Sequence, residues 1–272
     1  MIFTISDSDF EKMKSIIYEK SGIHFSENNR AILESRLKER LKISSLQTID
    51  DYYSLITRNE EEMKILLDSV TTNLTRFFRN NAHMQAFQYY IIPELVSYKK
   101  KKGGNSIKLW SAGCSTGEEP YTLAMMLKEF LPHDIKAVIT ASDLSLKSLM
   151  TAKTGFYPET RIAGVPDNYL EKYFEKTSEG YQINEEIKSM IKFDYHNLKY
   201  DSGLQGLDII FCRNVLIYFD EKAQENVVNR FWNSMNNHAY LIIGHSESLF
   251  GMKSGFKFHK TDWATFYTKI LD

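Results

Sequence analysis

The stretch Lys108-Leu-Trp-Ser-Ala-Gly-Cys-Ser-Thr-Gly-Glu-Glu-Pro-Tyr-Thr-Leu-Ala-Met-Met-Leu127 decides the reading of this chain. An apolar run leads into a loop holding Gly113 and Gly117, and Pro120 then opens an amphipathic pattern; the order spells buried strand, tight turn and helix. Glycine at the loop positions permits backbone angles and close approaches that a Cβ would forbid. Glu118 and Glu119 stand at the helix entrance, where free N–H groups favour carboxylates. Carboxylates repel phosphate, and the loop lacks the lysine of a Gly-x-x-x-x-Gly-Lys-Ser/Thr cradle. The loop therefore suits a cationic or phosphate-free cofactor, a description that S-adenosylmethionine meets. A glycine turn that only lets a strand pack on its helix has the same spacing.

Working downstream, strands and helices alternate from Ile107 onward, the pattern of a sheet covered on both faces. Strands are expected at 108–111, 136–142, 191–193, 207–212 and 239–243, with a closing hairpin over 256–259 and 264–269. Gly113, Asp143, Asn197 and Asn214 all fall at the carboxyl ends of those strands, where ligands of open α/β sheets gather. Asp143 sits where a ribose diol is held in nucleoside-binding folds; a helix N-cap for 146–153 is the competing role. Residues 165–190 interrupt the alternation as an insertion containing a small hairpin strand at 180–183.

Upstream, the first seventy residues carry helix-like spacing, with Phe10, Met13, Ile16 and Ile17 on one stripe and Leu33, Leu37 and Leu41 on another. Arg36 and Arg40, four apart beside the second stripe, form a candidate docking face for an acidic partner, unless Glu34 and Glu39 neutralise it. Between the two halves, Ser69-Val-Thr-Thr-Asn-Leu-Thr-Arg-Phe-Phe-Arg79 alternates hydrogen-bonding and apolar groups more densely than a plain linker needs. Lys99 to Lys102 lack interleaved aromatics and read as a solvated loop rather than a nucleic-acid contact.

The net charge of -1 over 272 residues gives no global case for nucleic acid or an acidic membrane. Cys114 and Cys212, far apart and each in an apolar stretch, suit reduced buried thiols and a cytoplasmic setting. No run approaches the roughly 18 apolar residues of a membrane helix, and the first residues lack a secretory pattern. The seven histidines show no metal-ligand spacing, so no metal is expected.

Several stretches, in order, carry a family resemblance: Thr72-x-x-Thr75-x-Phe77-Phe-Arg79, Trp110-Ser-Ala-Gly-Cys-Ser-Thr-Gly-Glu-Glu-Pro-Tyr121, Thr140-Ala-Ser-Asp143, Phe193-x-x-His-Asn197-Leu198, Phe211-Cys-Arg-Asn-Val-Leu-Ile-Tyr-Phe219 and Gly244-His-Ser-Glu247. The chain resembles the chemotaxis receptor glutamate O-methyltransferases, the CheR family, over almost its whole length. That resemblance implies an α/β fold with the Rossmann-like, seven-stranded sheet of S-adenosylmethionine-dependent methyltransferases, its last strand antiparallel, plus a small N-terminal all-α domain and a small β-subdomain insertion. It divides the chain into a helical receptor-recognition domain (1–70), a linker contributing to the cofactor site (71–90) and the methyltransferase domain (91–272).

It also implies roles. Asn73, Thr75 and Arg79 would reach S-adenosylmethionine from the linker, Arg79 near its carboxylate; Glu118 would accept from the methionyl ammonium and Asp143 from the ribose. Gly113 would shape the loop, and Asn197, Leu198, Asn214 and Val215 would line the adenosine side. Tyr218 would stand near the transferring methyl, either as a catalytic participant with Arg79 or as a buried structural tyrosine. The expected reaction gives glutamyl methyl esters on the cytoplasmic helices of membrane chemoreceptors and S-adenosylhomocysteine, with Arg36 and Arg40 as docking residues. A glutamate is already ionised at neutral pH, so neither a general base nor a metal is required. The short turn Thr177-Ser-Glu-Gly180 argues against binding of a receptor tethering peptide, and Leu74 replaces a frequent acidic residue. A non-catalytic S-adenosylmethionine-sensing module is the alternative; a small-molecule or RNA methyltransferase would want an aromatic pocket or basic channel that the sequence does not display.

Overall fold

A computed structural model describes residues 5–71 and 74–271. Asn73, one of the expected cofactor contacts, lies outside the described residues.

Four helices form the N-terminal part: α1 (Asp7–Ser21), α2 (Arg30–Ile43), α3 (Ile49–Arg58) and α4 (Glu60–Val70). Their starts follow local capping chemistry. Ser6 accepts from Asp9 N, Thr48 from Asp51 N, and Asn59 from the amides of Glu61 and Glu62. The apolar stripes of these helices close on one another around fully buried Met13, Leu33, Leu37, Tyr52 and Leu66, a core separate from that of the sheet.

After the connecting segment, α5 (Asn81–Ala86) runs through a π-helical turn (Phe87–Ile91) into α6 (Ile92–Lys101). Pro93 has no amide to donate backwards, a local cause for the widened turn. This continuous helix buries Phe87, Ile91, Ile92 and Leu95 in the core of the sheet. Within the expected linker (71–90), Phe77, Met84 and Phe87 are already buried in the core of the larger domain.

That domain is built from β1 (Ser106–Ala112), α7 (Glu118–Phe130), β2 (Lys136–Asp143), α8 (Leu146–Thr154), β3 (Phe156–Tyr157), α9 (Asp167–Tyr173), β4 (Phe174–Lys176), β5 (Tyr181–Ile183), α10 (Glu185–Lys188), β6 (Ile191–Tyr195), β7 (Leu207–Cys212), α11 (Glu221–Ser234), β8 (Met235–Ile243), β9 (Lys257–Lys260) and β10 (Thr265–Ile270). The main sheet has the order β6-β2-β1-β7-β8-β10-β9. Its first five strands are parallel, whereas β10 runs antiparallel to both β8 and β9. This is the seven-stranded mixed sheet of S-adenosylmethionine-dependent methyltransferases. Every residue of β7 is buried, as expected of a central parallel strand covered on both faces.

The insertion starts earlier than residue 165. Phe156 and Tyr157 already pair with β5, giving a three-stranded antiparallel sheet in the order β3-β5-β4. Its tight turn is closed by Thr177 N donating to Gly180 O at 2.8 Å. Among the described residues no helix is long and apolar enough to cross a membrane.

Candidate active site

The loop after β1 is fastened to its neighbour by two amides, Gly113 N and Cys114 N, which both donate to Ser142 O at 2.8 and 2.9 Å. Gly113 has φ +85, and a Cβ there would stand 2.4 Å from Val215 Cγ2, so only hydrogen fits between this loop and the one after β7. A cleft opens where the two loops meet.

Asp143, at the end of β2, lines that cleft and is 8% exposed. Its Oδ2 accepts from Ser115 N at 2.7 Å and its Oδ1 from Ser145 N at 2.8 Å. Burial pushes the carboxyl above the ordinary aspartate range, and these two amides oppose the shift. The competing capping role belongs to Ser145, whose hydroxyl accepts from Ser148 N at 3.0 Å. Asp143 keeps acceptor capacity facing the cleft.

Asn197 and Leu198 follow β6, Asn214 and Val215 follow β7, and all four line the same space. Asn197 is braced by the helical domain, its Nδ2 donating to Lys20 O at 2.8 Å. Asn214 holds φ +60, a left-handed conformation that asparagine tolerates better than most residues. Tyr218 reaches the cleft from a 3-10 turn, Leu216–Tyr218. Its carbonyl accepts from His24 N at 2.8 Å beside a bridge between Ile23 and Phe219, so the helical domain is stitched to this loop.

The connector roofs the cleft with Leu74, Thr75 and Arg79. Its aromatic pair explains why it stays there. Phe77 is 1% exposed and meets Tyr157 and Phe174 edge-on at 4.9 and 5.4 Å, while Phe78 packs on Tyr169 at 4.9 Å and donates its amide to Thr122 Oγ1 at 3.1 Å. Phe78 takes φ +49, a conformation costing a bulky residue about 1–3 kcal/mol that the surrounding contacts must hold. Next along, Arg79 donates from Nη1 to Leu74 O at 2.7 Å and so folds the connector back over the opening.

Two of the expected residues, Glu118 and Arg40, are engaged in internal ion pairs. Glu118, expected to meet the ammonium, is fully buried, accepts from Thr116 Oγ1 at 2.7 Å and is gripped by Arg161. Glu119, the next residue, lines the cleft, accepts from Ser111 Oγ at 2.8 Å and pairs with Arg213 at 3.2 Å. Burial raises its carboxyl above the usual range, against the pull of Arg213.

Arg40, expected on the docking face, is 9% exposed, and its guanidinium closes on Glu62 with contacts of 3.0, 2.7 and 2.8 Å. Tyr52 donates to the same carboxylate at 2.8 Å. Arg40 holds α2 to α4 and is not available to a partner. Arg36 remains at the surface, 3.9 Å from Glu39.

Arg213 is the other residue that sequence reading missed. Only 7% exposed, it bridges Glu119 to the carbonyl of Arg79, at 2.5 Å, and so ties the glycine-loop helix to the connector. Its signal was its place beside Asn214 at the end of a fully buried strand, where a charge must be paired. Arg76, Arg79, Arg213 and Asn214 border a second opening next to the cleft.

Comparison with known proteins places the chain among methyltransferases. The family described as CheR methyltransferase, SAM binding domain matches residues 73–265, and that described as CheR methyltransferase, all-alpha domain matches residues 8–71. A chemotaxis protein methyltransferase of Borreliella burgdorferi is 36% identical over 258 residues, covering 92% of this chain and 91% of its own length. Chemotaxis protein methyltransferase 2 of Vibrio cholerae is 31% identical over 273 residues, covering 97% and 94%. The chemotaxis protein methyltransferase of Escherichia coli is 31% identical over 255 residues, covering 90% and 85%.

Proposed function

The chain belongs to the CheR methyltransferase family, and from that premise we propose that it transfers the methyl group of S-adenosylmethionine to glutamate side chains on the cytoplasmic helices of chemoreceptors. One observation carries the reading: residues after four adjacent parallel strands, Gly113, Asp143, Asn197 and Asn214, line one cleft with Glu119 and Arg79. The cofactor is a cation bearing an ammonium group, a carboxylate and a ribose diol, and the cleft offers a partner for each. Glu119, with Glu118 beside it, would accept from the ammonium, Asp143 would accept from the ribose hydroxyls, and Arg79 would face the carboxylate. Leu198 and Val215 supply apolar surface for the base, with Asn197 and Asn214 beside them.

Bound S-adenosylmethionine supplies an electrophilic methyl on a positively charged sulfur. The protein's own residues then have two tasks, orientation and exclusion of water. Arg76, at the open side, would draw an acceptor carboxylate toward Asn214, and Tyr218 would stand beside the reacting centre. Because the negative oxygen and positive sulfur lose their charges together as the new bond forms, a site sealed from water favours the transition state. No proton must be moved, since a glutamate is ionised near neutral pH.

The helical domain is the reader of the receptor in this scheme. Arg36 supplies basic character to its exposed face, Arg40 being engaged internally. A methyl-transfer assay with tritiated S-adenosylmethionine and a receptor cytoplasmic fragment tests the reading; base-labile label on the fragment is expected. Binding of S-adenosylhomocysteine without any label would overturn transfer and leave a sensing module.

A further inference from the structure

Glu247 lies outside every role assigned so far, on the turn that follows β8. Its carboxylate accepts three backbone amides: Gly244 N at 2.5 Å, Asn214 N at 2.9 Å and Ile217 N at 3.2 Å. Two of those amides belong to the loop after β7, the one that brings Asn214, Val215 and Tyr218 to the cleft. The turn itself is closed by Glu247 N donating to Gly244 O at 2.9 Å.

Glu247 does not line the cleft. Its effect on the site must pass through the loop it holds. Asn214 needs such an anchor, because φ +60 is sparsely populated for a residue with a side chain. Gly244 makes the anchor possible: a Cβ there would stand 2.6 Å from Glu247 Oε2 and 2.8 Å from Asn214 N. Gly244 and Glu247 are thus two parts of one device, a carboxylate strut and the gap it occupies.

We infer that Glu247 is a positioning residue for the methyl transfer, fixing the 214–218 loop at the distance from β8 that the cofactor cleft requires. The inference rests on the reading of that cleft as the S-adenosylmethionine site. An ionised carboxylate is the group best suited to the task, since it offers several lone pairs to converging amides and bonds them more strongly than a neutral acceptor. Glutamine in its place keeps one acceptor oxygen but turns an NH2 group toward amides that can only donate.

The test uses the full chain and three variants, Glu247→Gln, Glu247→Asp and Gly244→Ala. Gly244 lies outside the left-handed region, so alanine is compatible with its own backbone angles and acts by crowding both the Glu247 carboxylate and the Asn214 amide, the two ends of the anchor. Calorimetry with S-adenosylhomocysteine gives the Kd, tritium transfer gives kcat and the KM for S-adenosylmethionine, and urea melts give the folded fraction. Glu247→Gln is expected to raise Kd and KM on the order of tenfold and to lower kcat per folded molecule by a similar factor. Gly244→Ala follows in the same direction, and Glu247→Asp, with the charge kept, recovers part of the loss. Values within twofold of wild type in folded Glu247→Gln, or a lowered urea midpoint with unchanged kinetics, would overturn the inference. Should Glu247→Gln not fold, Gly244→Ala decides by the same criteria. A wild-type chain that binds no S-adenosylhomocysteine would instead sink the cofactor assignment.

Discussion

Arg213 donates to Glu119 across 3.2 Å on the wall of the cleft, while Glu118, one residue earlier, closes on Arg161. The two carboxylates therefore answer to different mutations. Glu119→Gln removes the charge that would face an ammonium and is expected to raise the Kd for S-adenosylhomocysteine by roughly tenfold or more. Glu118→Gln should leave that Kd within about twofold and cost about 1–2 kcal/mol of stability through the weakened contact to Arg161. Calorimetry paired with urea unfolding checks both, and a reversed pattern would return the ammonium contact to Glu118.

That pair also marks where sequence reading stops. Gly113, Asp143, Asn197 and Asn214 could be placed together because apolar runs fix where strands end, and in an open parallel sheet those ends share one rim. The partner that Glu118 takes, Arg161, arrives from a 3-10 turn (Glu159–Arg161) more than forty positions later, and helical spacing does not foresee it. Arg40 failed for the same kind of reason. Helical spacing puts it next to Arg36, but only tertiary structure reveals that α4 covers it with Glu62. The two-residue strand β3 is too short to carry a periodic signal, so the insertion was read as starting late.

The corrected role of Arg40 is measurable. Both members of the Arg40 and Glu62 pair are nearly buried, with side chains 11% and 12% exposed, and Tyr52 leans on the same carboxylate. Arg40→Ala strands that carboxylate and should cost about 3 kcal/mol. Arg36→Ala, at an exposed site, is expected to change stability by no more than about 0.5 kcal/mol. Its effect should appear instead as a raised KM for the receptor fragment in the transfer assay. Equal stability losses for the two variants would remove the distinction.

Arg79 occupies the joint between connector and cleft, its guanidinium on Leu74 O and its carbonyl under Arg213. Only the first of these contacts is lost on truncation, so Arg79→Ala should fold with a melting temperature close to that of wild type. Its methyl transfer is expected to fall on the order of a hundredfold, as for removal of a charged group aimed at a reacting centre. Near-normal turnover in a folded Arg79→Ala would strike the residue from the site.

His83, on α5, is 6% exposed, and its Nδ1 is buried with no hydrogen-bond partner among the described residues. Burial, with the positive charge of Arg213 and the neighbouring His245, holds its pKa down at about 4. An unfolded histidine titrates near 6.5. Above that pH both states are neutral, and the residue leaves stability independent of pH. As pH falls from 6.5 toward 4, the unfolded chain takes up a proton that the folded chain refuses, so stability drops through that window. The loss expected from this group is about 2–3 kcal/mol at pH 4.5. His196, also held down by burial, adds a loss of the same sign. Urea unfolding of wild type and His83→Gln at pH 7.5 and 4.5 isolates the His83 share. The variant should lose less stability on acidification than wild type, and an equal loss would mean that His83 is free to protonate in the folded protein.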